Sequence, residues 1–378
     1  MLELQEIVRT FGAAYAATHG LSPVQRQVLQ AVGDCRTSTL GGHVDACDAC
    51  GTLQVSYNSC RNRHCPKCPT LTKERWIAAR KADLLNVGYF PLVFTLPEAL
   101  NPVARQNPRV VYDILFHAAA ETVAELAADP RYLGAQIGMT AILHTWGQNL
   151  MYHPHLHSVV PGGGLTPAGQ WRARGPRFFL PVKVLSHKFR GKFLAALRSA
   201  ALDFWGATDD LRDPATFRPW LSGLYGQEWV GYCKPPFDNV GRVLEYLGRY
   251  THRVAIANSR LVSIMDDQVT FRWRDYRAGN QPKLMTVSGD EFLRRFLLHV
   301  LPSGCTRIRH YGFLSPRNKA TLRRCQRLTR TVIRVDPLPP TALALLEQLT
   351  GRDWSLCSAC GQGHYQPVRA SPREPRSA

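Results

Sequence analysis

The sequence predicts an α+β chain in which a mixed domain follows a small metal-bound module and precedes a basic helical segment. Three observations carry this. Strand-like and helix-like segments alternate through the middle of the chain, six of the eleven cysteines crowd between Cys35 and Cys68, and a run near the C-terminus carries charge of one sign. The 378 residues suffice for two or three packed domains. Hydrophobic residues at 45% and charged residues at 20% exclude a disordered or collagen-like chain. No run approaches the ~18 consecutive apolar residues of a membrane span. Glu3 and Glu6 stand where a signal peptide would be basic. A soluble, cytoplasmic protein with no membrane partner is expected. Lys and Arg number 47 against 28 Asp and Glu, a net charge of +19, and an excess of this size points to nucleic acid as the partner. The expected divisions are 1–80, a helical lead-in and zinc-binding domain; 85–300, the α+β domain; 301–367, a basic C-terminal region; and 368–378, a disordered tail rich in Pro, Ser and Arg.

The elements follow in order. Ser22 and Pro23 supply an N-cap and a first-turn proline ahead of Val24, Val28 and Val32, the spacing of a short amphipathic helix. The cysteine cluster then runs Cys47-x2-Cys50, Cys60, His64, Cys65-x2-Cys68. In a reducing compartment such clustering reads as metal ligation before disulfides. Two CxxC pairs 14 residues apart predict a closed tetrahedral site for structural Zn²⁺ from Cys47, Cys50, Cys65 and Cys68, with Gly51 and Pro66 suited to the knuckles. Cys35, His43, Cys60 and His64 also number four, so a second Zn²⁺ is arithmetically available. Cys357-x2-Cys360, with His364, reads as a loose C-terminal knuckle without a catalytic role.

Tyr89 to Leu96 (YFPLVFTL) predicts a strand. Pro108 to Ala128 predicts a helix with Val111, Leu115, Ala119, Val123 and Leu126 along one side. Leu133 to Trp146 and His155 to Pro161 predict two strands joined through Gly147 to Pro154, the second stopped by Gly162, Gly163 and Gly164. Arg253 to Ile264 and Val269 to Trp273 flank a hairpin turn at Asp266-Asp267. From Phe292 to Val335 there are eleven Lys or Arg and no Asp or Glu. Ser315-Pro316 opens a helix carrying Arg317, Lys319, Arg323, Arg324, Arg327, Arg330 and Arg334, with Leu322, Leu328 and Val332 left to pack. A single-signed face predicts contact with a phosphate backbone, which gives affinity and position but reads no sequence.

Two motifs carry chemistry. In Tyr152-His153-Pro154-His155-Leu156-His157, alternate residues of a strand share a face, so His155 and His157 project together as a ready divalent-metal site. Buried imidazoles on an apolar strand are costly unless hydrogen-bonded or metallated. Tyr246 and Tyr250 are four apart, so on a helix both hydroxyls lie on one face. A phenol, with a pKa near ~10, is a poor nucleophile until a cation assists it. A metal on His155 and His157 would polarise a phosphodiester, with Arg249 and Arg253 steadying the phosphate or the phenolate.

The segment HPHLHSVVPGGG resembles the histidine–hydrophobe–histidine signature of the HUH endonucleases. EYLGRYTHRVAI resembles the paired-tyrosine helix of rolling-circle transposases, and GGHVDACDACGTLQVSYNSCRNRHCPKCP resembles the zinc-binding domain that precedes them. In this order, from about residue 20 to about 335, the chain resembles the two-tyrosine bacterial insertion-sequence transposases of the insertion-sequence-ninety-one type. The resemblance implies an HUH-type antiparallel sheet with flanking helices, the histidines on a central strand and the tyrosines on a helix facing it. It implies Mg²⁺ or Mn²⁺ on His155 and His157, with a third polar ligand for which His153, Gln148 and Glu245 are candidates. Tyr246 and Tyr250 would attack single-stranded DNA, at transposon ends and target, to form 5′-phosphotyrosyl links, one tyrosine holding an end while the other cuts. Arg249, Arg253, Arg317, Lys319, Arg323, Arg324 and Arg327 would bind the DNA, and a nucleoid-associated location would follow. A rolling-circle replication initiator or relaxase would use the same two motifs. A non-enzymatic zinc-dependent DNA-binding regulator would leave the histidine pair and the tyrosines without a role. For base stacking the candidates are Trp146, Trp273, Tyr276 and Tyr311, with core packing the default for each.

Overall fold

The computed structural model describes residues 1–173, 175, 180–227, 229, 231–233, 236–237, 240–251, 254–275, 278–332 and 337–373. Its helices are α1 (Leu4–Thr18), α2 (Pro23–Gly33), α3 (Pro69–Lys81), α4 (Asn101–Gln106), α5 (Pro108–Ala128), α6 (Val182–Arg198), α7 (Pro214–Tyr225), α8 (Val240–Thr251), α9 (Gly289–Leu297), α10 (Lys319–Leu328) and α11 (Ala342–Thr350). Its strands are β1 (Gly42–Cys47), β2 (Leu53–Tyr57), β3 (Tyr89–Thr95), β4 (Gly138–Trp146), β5 (Tyr152–Pro161), β6 (Gly163–Leu165), β7 (Trp171–Ala173), β8 (Gly231–Cys233), β9 (Leu261–Met265), β10 (Gln268–Asp275), β11 (Gln281–Ser288), β12 (Ile308–Gly312) and β13 (Tyr365–Ser371). Packing divides the chain into one unit of Met1–Ala78, His252–Val300 and Val335–Ala378, and another of Ala79–Thr251 and Leu301–Arg334. The sequence placed 252–300 with the central domain. In the structure α9 from that segment packs on α1, and Gly289 comes so close to Phe11 that a Cβ there would lie 2.5 Å from the ring. No helix among the described residues is long and apolar enough to cross a membrane.

The unit of residues 79–251 and 301–334 is built on a five-stranded antiparallel sheet of order β12-β4-β5-β3-β8, with β5 at its centre. Alternation along β5 sets up two faces. On the even-numbered face, the Tyr152 hydroxyl hydrogen-bonds that of Tyr112 on α5 at 2.7 Å. On the same face Phe94 of β3, opposite Leu156, meets Phe189 of α6. Phe189, Phe193 and Trp229 continue that aromatic core. The odd-numbered face carries His155 and His157 and receives α8. Helix α5 spans the residues the sequence predicted, because its apolar stripe and first-turn proline agree.

The basic C-terminal region is less helical than expected. Ile308–Gly312 pairs with β4 as an edge strand of the sheet, and Gly312 (φ +58°) has no room for a side chain, since a Cβ would meet the Ile137 carbonyl. Pro316–Asn318 form a 3₁₀ turn, and Ser315 makes no side-chain cap. Helix α10 buries Leu322 and Cys325 against Leu85 and Phe313. Leu328 and Val332, expected to pack, are exposed.

In the other unit, Ser22 caps α2 as predicted, accepting from Gln25 N at 3.3 Å within a capping box. Asp266 and Asp267 adopt φ of +47° and +60°, as a two-residue hairpin turn between β9 and β10 requires. Strand β9 begins only at Leu261, after a 3₁₀ turn at Asn258–Arg260. The expected disordered tail is overturned from Val368 to Ser371, which lie in β13: residues 369–371 pair antiparallel with β1, and Val368 falls at a bulge in that pairing. Composition does not show this, because the pairing satisfies main-chain groups on an open sheet edge and needs no particular side chains.

Candidate active site

Strand register brings a third histidine to the pair. His144 on β4 lies directly opposite His155 on β5, and directly opposed residues in an antiparallel pair share a face. One ring nitrogen from each of His144, His155 and His157 lies within 4.8 Å of the others. His155 Nδ1 is 2.7 Å from the His153 carbonyl oxygen, and His144 Nε2 is 2.8 Å from that of Tyr250. A carbonyl only accepts, so each of these nitrogens carries the proton and donates it. The lone pair is thereby assigned to the other ring nitrogen of each histidine. His155 Nε2 is 3.1 Å from His157 Nε2, so these two nitrogens share a proton or a cation. Burial, reinforced by the charge of Arg307 and then by the neighbouring imidazoles, holds His144 well below the ordinary histidine range and therefore neutral.

Of the three candidates for a third ligand, His153 and Glu245 lie outside the cluster. His153 shares the strand face, but it is its carbonyl that serves the site, orienting His155; burial lowers its own pKa. Gln148 lies in the turn between β4 and β5, and Glu245 is exposed on α8.

Helix α8 presents both tyrosines to this cluster. The Tyr246 hydroxyl is 3.2 Å from His157 Nδ1. The Tyr250 ring lies over the His157 ring with centroids 3.9 Å apart, and the two tyrosine rings are 4.5 Å apart. The C-terminal turn of a helix leaves carbonyls without intrahelical partners and carries the negative end of the dipole. Here the Tyr250 carbonyl accepts from His144 Nε2 and, at 3.2 Å, from the Arg307 guanidinium. Arg307 Nε also donates to the Leu143 carbonyl at 3.1 Å, and its guanidinium lies 5.1 Å from the Trp146 ring centre. Arg307 thus ties the end of α8 to β4, a role the sequence reading missed. Trp146 stacks on His144 at 4.5 Å and is part of this support.

Of the residues expected to meet DNA, Arg317, Lys319, Arg323 and Arg327 are exposed on the 3₁₀ turn and α10. Arg324 is exposed as well and donates to the Gly169 carbonyl at 2.7 Å. Arg249 lies on α8, while Arg253 and Tyr276 fall outside the described residues. Trp273 sits on β10 with the Lys283 ammonium 5.9 Å from its ring centre, and Tyr311 is half-buried on β12.

The cysteines group differently from the expectation. Cys35, Cys60, Cys65 and Cys68 form one cluster, with Sγ separations of 3.5 Å (Cys35–Cys68), 3.5 Å (Cys60–Cys68) and 3.7 Å (Cys35–Cys65). Cys47 and Cys50 meet Cys357 and Cys360. A tetrahedral thiolate site with Zn–S bonds of ~2.3 Å has S–S edges of ~3.8 Å, so the first donor set fits zinc. His43 pairs with Asp45 at 3.3 Å, and neither His43 nor His64 enters a cluster. The reason is the β1–β2 hairpin. Cys47 and Cys50 sit at its turn, whereas Cys35 precedes it and Cys60 follows it, so both lie at its open end. Hydrogen bonds within the cluster, Cys35 first, lower Cys68 and raise Cys60 and Cys65, as when one thiolate accepts from neighbouring thiols.

Residues 138–321 match the family model described as "Putative transposase", a span that holds the three histidines, both tyrosines and Arg307. Residues 7–96 match "Transposase zinc-binding domain". The chain is 52% identical over 374 residues to "Putative transposase y4qJ" of Sinorhizobium fredii, covering 96% of this chain and 93% of that protein. It is 27% identical over 310 residues to the "Transposase for insertion sequence element IS801" of Pseudomonas savastanoi pv. phaseolicola, covering 79% and 72%. No solved structure matches the chain. The zinc-binding domain and the cysteine clusters together support structural zinc. With its relatives and both domain matches in agreement, the chain belongs to the insertion-sequence-ninety-one (IS91) type of transposase, DNA-cleaving enzymes with an N-terminal zinc-binding domain.

Proposed function

We propose that the protein cleaves single-stranded DNA and transfers the strand in rolling-circle transposition, with Tyr246 and Tyr250 as nucleophiles and Mg²⁺ or Mn²⁺ held by His144, His155 and His157. The observation that carries this is the phenol beside the imidazole cluster: Tyr246 Oη at 3.2 Å from His157 Nδ1, and His157 Nε2 at 3.1 Å from His155 Nε2. Three imidazoles, two of them with proton positions set by carbonyl acceptors, fit a divalent cation. When bound, the cation supplies Lewis-acid polarisation of the scissile phosphodiester.

The protein's own groups do the rest. If His157 held the cation through Nε2, its proton would sit on Nδ1, 3.2 Å from the Tyr246 oxygen, where donating it favours a phenolate. Tyr246 gives its proton to solvent, its Oη bonds to phosphorus as the bond from phosphorus to the 3′-oxygen breaks, and the departing oxygen takes a proton from solvent, leaving a free 3′-hydroxyl on one side and a 5′-phosphotyrosine on the other. Tyr250, a turn away on the same helix face, serves the second strand. Arg317, Lys319, Arg323 and Arg327 hold the DNA backbone without reading sequence. Zinc on Cys35, Cys60, Cys65 and Cys68 is structural. The test is a covalent protein–DNA band that forms with Mn²⁺ on single-stranded oligonucleotides from the element's ends and is lost in excess chelator. Undiminished cleavage in chelator overturns the histidine–metal role.

Two variants probe the parts the sequence did not single out. His144→Ala is expected to weaken Mn²⁺ binding to the free protein by at least ~10- to 100-fold, since even outer-shell losses cost that much. Calorimetric titration without DNA reads this directly, and a wild-type dissociation constant would remove His144 from the ligand set. Arg307→Ala is expected to lower kcat for cleavage by about 10- to 100-fold with KM for DNA unchanged, because it displaces the nucleophile helix rather than the substrate. A raised KM with wild-type kcat would make Arg307 a DNA contact instead.

A further inference from the structure

We infer that Cys47, Cys50, Cys357 and Cys360 form a second structural Zn²⁺ site, a clasp that fastens the C-terminal segment to the N-terminal β-hairpin. Cys357 and Cys360 lie outside both matched spans, 7–96 and 138–321, so neither domain match accounts for them. The Sγ atoms of Cys47 and Cys360 are 3.7 Å apart, and those of Cys50 and Cys357 are 3.8 Å apart. These are the edges of a tetrahedral zinc–thiolate site and are far longer than the ~2.05 Å of a disulfide.

The two halves are built alike. Cys47-Asp48-Ala49-Cys50-Gly51 and Cys357-Ser358-Ala359-Cys360-Gly361 each end on a glycine in the left-handed region, with φ of +71° and +67°. In each, that glycine's N–H donates to the carbonyl of the first cysteine, at 3.0 Å from Gly51 to Cys47 and 2.9 Å from Gly361 to Cys357. Main-chain N–H groups also point at sulfur: Cys50 to Cys47 at 3.5 Å, Ala359 to Cys357 at 3.4 Å and Gly363 to Cys360 at 3.4 Å. Donors around sulfur stabilise thiolate ligands. The halves are also held in register. Asp48 N–H donates to the His364 carbonyl at 3.1 Å, and His364 N–H donates to Asp48 Oδ1 at 2.8 Å. A Cβ on Gly363 would lie 2.5 Å from Cys47 Sγ, so the glycine is what lets the two knuckles close. Strand β13 leaves the second knuckle directly, with Tyr365 opposite Cys47, so the clasp sets the pairing of β13 on β1.

The experiment is zinc stoichiometry on the full chain, by plasma mass spectrometry after purification without chelator. Wild type is expected to hold two zinc ions per chain. Cys357→Ser/Cys360→Ser is expected to hold one and to be cut by trypsin at Arg352 and Arg369 many-fold faster. Cys360→His is expected to keep two, because imidazole replaces thiolate as a ligand. Two ions in the double serine variant overturn the site, as does one ion in wild type or a non-reduced mass showing a disulfide within the four. Should the serine variant fail to fold, cobalt(II) titration of metal-stripped wild type decides. A thiolate charge-transfer band that saturates at two equivalents supports the clasp, and saturation at one overturns it.

Discussion

Tyr246→Phe/Tyr250→Phe is expected to abolish the covalent protein–DNA adduct while single-strand binding stays close to wild type. Removing an active-site nucleophile costs on the order of 10⁴- to 10⁶-fold in turnover, below what a denaturing gel detects. The two tyrosines are not equivalent in the structure, and this makes the single variants informative. Only the Tyr246 hydroxyl is within hydrogen-bond reach of a cluster histidine among the described contacts, whereas Tyr250 lays its ring over His157. Tyr246→Phe is therefore expected to lose the first cleavage outright. Tyr250→Phe is expected to retain the first adduct and lose transfer to a second strand. The assay uses labelled single-stranded oligonucleotides tiled across the element's ends, with Mn²⁺. An adduct that persists in the double variant would place the nucleophile off α8. Adduct retained by Tyr246→Phe and lost by Tyr250→Phe would reverse their order. Tight binding with no adduct in wild type on any strand would favour a zinc-dependent DNA-binding protein.

What was legible in the sequence was periodicity. His155 and His157 share a face because a strand repeats every two residues, and Tyr246 and Tyr250 share one because a helix returns after about four. The ends of α5 and the cap of α2 were legible for the same local reason. What was missed depends on partners distant in the chain. His144 meets His155 only because the turn takes in Gly147 to Leu150, with Leu150 at φ +62°, and β5 starts at Tyr152 rather than His155. A signal existed, since a histidine a few residues before a strand turn falls opposite one a few residues after it. Arg307 acts on main-chain carbonyls, which leave no mark in a sequence, and so it was lost among the ten other basic residues of its segment. The cysteines were grouped by proximity in the chain, but the β1–β2 hairpin separates the neighbouring CxxC pairs and β13 brings a partner back from residue 357.

That regrouping leads to an expected result that chain proximity alone would not give. Cys65→Ser is expected to lose one zinc ion and to unfold the region around the first cluster. Cys65 is 1% exposed, and Cys35, with which it shares the site, is fully buried. Zinc bound by such small modules is worth roughly 10–16 kcal/mol at neutral pH, as much as or more than the ~5–15 kcal/mol that holds a typical domain together. The melting temperature should therefore fall by tens of degrees or the transition should vanish, as followed by circular dichroism with zinc in excess. Cys47→Ser separates the two groupings. If Cys47 and Cys65 ligated one ion, the second substitution would remove no further zinc. Because they lie in different clusters, each single variant should lose a different ion and the double variant should lose both. Equal zinc content in the single and double variants would restore the grouping by sequence. A Cys65→Ser protein with wild-type zinc and melting temperature would take Cys65 out of the ligand set altogether.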